Sequence, residues 1–208
     1  IGGARPYDYV LMFKILILQR YYNIGDDKME FAILDRLSFM RFLGLTLSDK
    51  VPDAKTIWLF REQLTGENAV EKLFDLFREE LHRKNLIANE GKIIDASFVE
   101  VPIQRNSREE NKQIKEGKVP DEWKENPNKL EQKDTDARWT KKNGKSYYGY
   151  KDHVKSDAKS KLIDTYTVTD ASVHDSQETE PLLKESDKGQ SLYADSAYSG
   201  EPIAEMVE

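Results

Sequence analysis

The spacing of apolar residues changes near residue 90. Up to residue 88 apolar side chains recur at helical intervals, which predicts an all-helical bundle. Asp53 is a residue type that favours a helix N-cap, and Asp27 with Glu30 predicts a capping box. The predicted helices span residues 10–22, 29–37, 38–43, 54–64 and 69–84.

From residue 89 onward, short apolar runs predict strands at residues 92–101, 146–155, 162–169 and 191–194. Helices are predicted at 176–184 and 201–208. The polar segment 102–142 predicts an insertion with one short helix, which Ser107 and Glu110 cap, and otherwise irregular structure. This element order predicts an α+β (or α/β) fold: a helical bundle at 1–88, then an incomplete ribonuclease-H-like mixed sheet with flanking helices at 89–208.

Two aspartates, Asp95 and Asp195, occupy the same kind of position 100 residues apart. Each ends a short apolar run and is followed by small residues. If the fourth strand lies parallel to the first, the two carboxylates approach each other, and they repel unless a cation lies between them. Paired carboxylates of this kind predict a divalent-metal site and phosphodiester chemistry.

The composition excludes several kinds of site and argues against a membrane protein. The chain has 208 residues and no cysteine, which excludes disulfides and thiolate metal sites. Its longest strongly apolar stretch, residues 10–18, is far shorter than the about 20 residues of a membrane span, so no membrane association is expected. It starts at Ile1 without methionine and stops at Glu208 in mid-pattern, which predicts a fragment of a longer protein.

Charge is distributed unevenly. The net charge is -6, yet residues 101–161 carry +5 and residues 162–208 carry -9. Residues 138–161 hold eight basic side chains among interleaved aromatic ones, a pattern that suits either a DNA-contacting surface or a solvated hairpin. The candidate DNA contacts there are Lys145, Lys151 and Lys155. In the helical region Arg61 lies on a candidate reading helix, and a packing or dimerisation role for that region is an equal alternative.

Six motifs give the chain a resemblance to a known family. They are DAKTIWLFR (53–61), IDAS (94–97), RNSREEN (105–111), YGYKDH (148–153), VHDS (173–176) and YADSAY (193–198). In this order and spacing they resemble a DDE transposase of the bacterial insertion-sequence-five family. The resemblance covers nearly the whole chain.

The resemblance implies that Asp95 and Asp195 are the first two acidic metal ligands and catalytic residues. They would hold two Mg²⁺ (or Mn²⁺) ions about 3.5–4 Å apart, which support DNA cleavage and strand transfer. The expected partners are transposon-end and target DNA and further copies of the chain, in the bacterial cytoplasm at the nucleoid. The family's third ligand, a helical glutamate, has no match in this sequence, so the fragment is expected to lack it and its activity alone is in doubt.

Other readings and residues stay open at this point. His174 and Asp175 are candidates to lie beside the metal ligands and support them, with a capped loop as the alternative for His174. A metal-dependent nuclease of the same fold is one alternative function. A truncated remnant that binds DNA or dimerises without catalysis is the other.

Overall fold

The computed structural model describes residues 6–101, 106–198 and 203. The chain forms two compact units, residues 1–79 and 80–208. Helices dominate the first unit, and a mixed sheet dominates the second, so the predicted α+β class is confirmed. No helix within the described ranges is long and apolar enough to cross a membrane.

The helical character predicted for the first 88 residues is confirmed. The helices are α1 (Tyr9–Tyr22), α2 (Asp26–Asp35), α3 (Leu37–Leu43), α4 (Ala54–Gly66) and α5 (Ala69–Arg83). Buried apolar side chains from α1 to α4, among them Ile15, Met29, Ile33 and Ile57, form one core.

A side-chain cap explains where α4 begins, and α2 begins without one. The predicted cap at Asp53 is confirmed, because its carboxylate accepts a hydrogen bond from the Thr56 N–H at 2.7 Å. The predicted capping box of Asp27 and Glu30 is wrong, because α2 follows Gly25 and no side chain caps it.

The second unit contains a sheet and several short helices. Its strands are β1 (Lys92–Glu100), β2 (Arg138–Lys142), β3 (Lys145–Asp157), β4 (Ile163–Asp170) and β5 (Leu192–Ala194). Its helices are α6 (Arg108–Lys115), α7 (Asp121–Lys124), α8 (Pro127–Glu131) and α9 (Thr179–Leu182), and 3-10 turns span Asp175–Glu178, Glu185–Asp187 and Ser196–Tyr198.

The strand order is the one that the sequence predicts. β3 lies between β1 and β4 and is antiparallel to both, whereas β5 is parallel to β1 at the edge of the sheet. The register pairs Ile94 with Ala194. A three-strand meander followed by a parallel fourth strand is therefore present.

Two predicted regions differ from the structure. The insertion, predicted to hold one helix, contains α6 to α8 and also β2, which pairs with β3 across the Asn143-Gly144 turn. The capping box of Ser107 and Glu110 is confirmed. The predicted helix at 176–184 is instead broken into the 3-10 turn Asp175–Glu178 and the four-residue α9. The predicted helix at 201–208 lies outside the described residues except for Ile203, as do residues 102–105 of the insertion.

One face of the sheet carries buried charge beside a small apolar cluster around Ile94. Lys155 of β3 is fully buried and forms ion pairs with Asp164, at 3.3 Å, and with Asp187. Lys92 of β1 is 2% exposed, and its Nζ lies 3.3 Å from Asp164 and 3.7 Å from Asp187. We call these two lysines and two aspartates the ionic cluster. It joins three strands to the segment between β4 and β5, which covers this face.

The hairpin between β3 and β4 depends on Asp157. Its carboxylate accepts hydrogen bonds from the N–H and hydroxyl of Ser160, both at 2.7 Å, and from the N–H of Asn89 at 2.8 Å. Burial raises the pKa of Asp157, but these hydrogen bonds outweigh burial and lower the pKa to about 2.

We expect Asp187→Asn to lower the free energy of unfolding by about 3–5 kcal/mol, because it leaves two buried lysines facing one carboxylate. Urea unfolding measures this loss. The control is Glu185→Gln, which breaks an exposed pair with Lys188 and costs less than about 1 kcal/mol. Equal losses in the two variants would contradict a buried ionic cluster.

The stabilisation from Asp157 depends on pH. A carboxyl group whose pKa falls on folding stabilises the fold above its unfolded pKa, and the stabilisation is lost as the pH falls through the folded pKa. We therefore expect the difference in unfolding free energy between wild type and Asp157→Asn to be full at neutral pH. It shrinks as the pH falls from 3.8 to about 2. Urea unfolding at a series of pH values checks this, and a difference that persists at pH 2 would refute it.

Candidate active site

Strand register brings Asp95 and Asp195 together. Ile94 of β1 pairs with Ala194 of β5, so the next residue on each parallel strand is an aspartate. Neighbouring strands lie about 4.8 Å apart. Both aspartates line one surface cavity of about 840 Å³, which Ile93, Tyr193 and Lys161 also border.

Each aspartate is exposed and is held by its own backbone. Oδ1 of Asp95 accepts a hydrogen bond from the N–H of Ala96 at 2.8 Å. Oδ1 of Asp195 accepts one from the N–H of Ala197 at 2.9 Å. In the described part of the chain, neither carboxylate forms an ion pair, and the second oxygen of each has no hydrogen-bond partner.

These features suit a hard cation. Carboxylate oxygens are the ligands that Mg²⁺ takes, and two adjacent uncompensated carboxylates repel each other without a cation. Within the described ranges, however, no three His, Cys, Asp or Glu side chains converge closely enough to hold a metal ion. The two aspartates thus supply part of a metal site.

Asp175 and His174 lie at the start of the segment between β4 and β5. This segment covers the face of the sheet that carries the ionic cluster. Asp175 is buried and accepts a hydrogen bond from Nζ of Lys151 at 2.7 Å. Burial raises the pKa of Asp175, but the hydrogen bond and charge of Lys151 lower it by more. The pKa of Asp175 therefore lies below its ordinary value. His174 caps the following 3-10 turn by accepting from the N–H of Ser176 at 3.3 Å. Among the described contacts, neither residue bonds directly to Asp95 or Asp195.

The DNA contacts at Lys151 and Lys155 stay predictions, and in this structure both side chains are buried and paired with carboxylates. Lys155 is fully buried in the ionic cluster, and Lys151 is 8% exposed and bound to Asp175 and to the carbonyl of Val173. Either lysine could reach a DNA phosphate only by leaving its buried carboxylate, which costs several kcal/mol.

Lys145 has a different environment. Its side chain is 66% exposed, pairs loosely with Glu100 at 3.7 Å and lies 4.7 Å from the centre of the Tyr147 ring. Lys142 lies beside it across the hairpin, and the Tyr147 ring stacks on Phe98 with centroids 4.1 Å apart. We call Lys141, Lys142 and Lys145 the hairpin lysines.

Arg61 contributes to packing in the helical unit. Its guanidinium donates two hydrogen bonds to the carboxylate of Asp26, at 2.6 and 3.0 Å, and one to Gln19 at 3.1 Å. The hydrogen bond from Arg61 lowers the pKa of Asp26. The side chain remains 42% exposed. A DNA contact by Arg61 stays a prediction. In this structure Arg61 also links α4 to Asp26 of α2 and Gln19 of α1.

Sequence reasoning missed Asp164, Asp187 and Lys92 as a buried cluster. The signal was present in β3, where Lys151, His153, Lys155 and Asp157 alternate and therefore share one face of the strand. Four polar residues on one face normally indicate solvent. Here the segment between β4 and β5 covers this face, and its Asp175 and Asp187 pair with Lys151 and Lys155.

Two protein-family models match this chain. Residues 88–208 match the family described as Transposase DDE domain, and residues 1–63 match the one described as Transposase domain (DUF772). No solved structure gives a significant match to the chain.

Proposed function

Because the chain belongs to the Transposase DDE domain family and is a transposase, we propose that Asp95 and Asp195 are its catalytic metal ligands for DNA cleavage and strand transfer. The observation that carries the proposal is the register of β1 and β5. This register supports an arrangement in which the carboxylates of Asp95 and Asp195, neither of which has an ion pair, lie beside each other at one cavity.

The family uses divalent metal ions, and the donor set of the cavity fits Mg²⁺ or Mn²⁺. When bound, two such ions supply Lewis-acid stabilisation and a more nucleophilic water or DNA 3′-hydroxyl. Asp95 and Asp195 each offer a free oxygen while their backbone hydrogen bonds hold the other oxygen. The family's third ligand, a helical glutamate, has no match in this sequence, so these two aspartates are the ligands proposed from this chain.

The same cavity serves both chemical steps of the proposal. The first cuts the phosphodiester bond at a transposon end, and the second joins that end to target DNA. Neither step needs a protein nucleophile, because the attacking oxygen comes from water or from DNA itself.

The hairpin lysines are the proposed phosphate contacts near the site. Lys145 is exposed, and Lys142 is 45% exposed beside the stacked rings of Phe98 and Tyr147. Exposed cations next to aromatic rings suit the backbone and bases of a nucleic acid strand. They are more accessible to a DNA strand than Lys151 and Lys155, which are buried.

Self-association is proposed for the helical unit. Several apolar side chains on α1 and α2 are exposed, including Tyr9, Tyr21, Phe31 and Leu34. Exposed apolar patches of this kind mark protein interfaces in soluble proteins. The proposed setting of the reaction is the bacterial cytoplasm at the nucleoid, and the motifs support the insertion-sequence-five family as the subgroup.

We expect Asp95→Asn in the full protein to lower the rate of DNA cleavage by more than about 100-fold. The loss of a direct ligand should cost at least as much as the loss of a supporting partner, which costs about 10–100-fold. DNA binding and the unfolding midpoint should stay close to wild type. Cleavage of labelled transposon-end DNA measures the rate.

The matched control is Asp121→Asn, which changes a carboxylate that is 91% exposed in the insertion. It should cleave at the wild-type rate. Wild-type cleavage by Asp95→Asn would reject the assignment of the site.

We expect replacement of all three hairpin lysines by glutamine to weaken DNA binding and to flatten its dependence on salt. Each lost phosphate contact lowers the slope of log affinity against log salt by about 0.9. Fluorescence anisotropy with a labelled duplex at several salt concentrations measures the slope.

The control for this variant removes the same charge elsewhere, at the exposed Lys118, Lys124 and Lys188. Its slope should match wild type. If both triple variants change the slope equally, the effect belongs to net charge and the hairpin is not a phosphate-binding surface.

A further inference from the structure

Lys161 has a backbone conformation that lysine rarely adopts. Its φ is +61°, in the left-handed region that is unfavourable for residues other than glycine and asparagine. Among the described residues, every other non-glycine residue with a positive φ is an asparagine. Glycine or asparagine at position 161 would therefore form the same turn with less strain. A lysine there indicates a use for its side chain, because strained residues cluster at functional sites.

The turn that carries Lys161 is fixed by hydrogen bonds. The N–H of Lys161 donates to the carbonyl of Asp157 at 2.9 Å, and the Asp157 carboxylate closes the same turn through Ser160. The N–H of Ala158 donates to the carbonyl of Gly91 at 2.8 Å. The hairpin between β3 and β4 is thus tied to the start of β1, and it holds Lys161 in a defined position.

Lys161 borders the same cavity as the two aspartates. Among the described residues it is the only basic one that lines this cavity. It is exposed, and in the described structure no carboxylate, Asp95 and Asp195 included, forms an ion pair with it. Lys159, two residues earlier in the same hairpin, instead pairs with Glu90 at 2.6 Å. Lys161 is therefore available to an anion that enters the cavity.

An exposed aromatic ring belongs to the same lining. Tyr193 is 55% exposed, and its ring lies so close to Gly91 that a side-chain carbon at Gly91 would come within 3.1 Å of it. A pair of carboxylates for a cation, an aromatic ring and an unpaired lysine together suit a nucleic acid strand, which offers both phosphates and bases. A free phosphate ion would leave the ring without a partner.

We propose that Lys161 contacts a backbone phosphate of the DNA strand that is cut at Asp95 and Asp195, and so positions this strand along the cavity. The proposal rests on the proposed function, because it takes the two aspartates as the place of cleavage. The hairpin meets β1 at Gly91, four residues or about 13 Å before Asp95. Phosphates of one strand follow each other about every 3.4 Å along the duplex axis, so the contacted phosphate lies within about four nucleotides of the cut bond.

The test compares Lys161→Asn with Lys159→Asn in the full protein, by fluorescence anisotropy of a labelled transposon-end duplex at several salt concentrations. We expect Lys161→Asn to weaken binding and to lower the slope of log affinity against log salt by about 0.9, as the loss of one phosphate contact does. Lys159→Asn removes the same charge from the same hairpin but not from the cavity lining, so its slope should match wild type.

Two further measurements separate a phosphate contact from a structural role. The urea midpoint of Lys161→Asn should equal or exceed that of wild type, because asparagine tolerates the left-handed backbone better than lysine. Lys161→Arg keeps the charge and should bind DNA like wild type. A lower urea midpoint in Lys161→Asn together with weak binding by Lys161→Arg would show that position 161 acts through the fold, and this would overturn the proposal.

Neutral methylphosphonate linkages locate the contact on the DNA. When each phosphate within four nucleotides of the cut bond is replaced in turn, wild type should lose affinity at the contacted position. Lys161→Asn should lose no further affinity there. Equal losses in wild type and Lys161→Asn at every position would overturn the proposal.

The outcomes also distinguish this proposal from the one on which it rests. Lost cleavage in Asp95→Asn together with a wild-type salt slope in Lys161→Asn removes the phosphate contact and leaves the metal ligands in place. Equal slope changes in Lys161→Asn and Lys159→Asn assign the effect to net charge and have the same consequence. Wild-type cleavage by Asp95→Asn overturns the metal site, and the placement of Lys161 beside the cut bond with it.

Discussion

The ionic cluster of Lys92, Lys155, Asp164 and Asp187 is the constraint on which the sheet unit depends. Each of these charges is removed from water, and such burial is tolerated only if every charge meets a partner. Replacement by well-packed apolar residues can match the stability of a buried ion pair, so stability alone does not account for the cluster. What the cluster supplies is a defined arrangement. Asp187 satisfies two strand lysines only when the segment after β4 lies across the face formed by β1 and β3.

That arrangement fixes the position of the second aspartate of the site. After Asp187 the chain has few residues before β5 begins, and the N–H of Lys92 donates to the carbonyl of Ser191 at 2.8 Å at the start of the pairing. Lys92 therefore has two roles, since its side chain belongs to the cluster and its backbone begins the β1–β5 ladder. The register that follows sets Asp195 beside Asp95. A shift of one residue would turn one carboxylate to the opposite face of the sheet.

The sequence predicts those strands that follow from local apolar patterns. It does not predict the strand and the buried lysines whose environment depends on residues far away in the chain. The strands β1, β3, β4 and β5 were predicted because each is a short apolar or alternating run between turn residues. β2 was missed because Arg138–Lys142 is polar, and it becomes a strand only by pairing with β3. Lys151 and Lys155 are candidate DNA contacts in the sequence because residues 138–161 combine eight basic side chains with interleaved aromatic ones. Their burial depends on Asp175 and Asp187, which are more than 20 residues away and flank the helix predicted at 176–184.

Under the proposed function, the charges of this unit couple metal binding to DNA binding. Asp95 and Asp195 are uncompensated in the described structure, so they repel a phosphate backbone until a cation neutralises them. The exposed hairpin lysines, whose ion pairs are loose, attract the same backbone, whereas Lys151 and Lys155 are already neutralised by buried carboxylates. A cation that lowers the repulsion must raise DNA affinity, and bound DNA must raise cation affinity by the same factor, because the two ligands are thermodynamically linked. The buried lysines stabilise the fold and contribute little to this attraction, so the coupling is concentrated in the two aspartates.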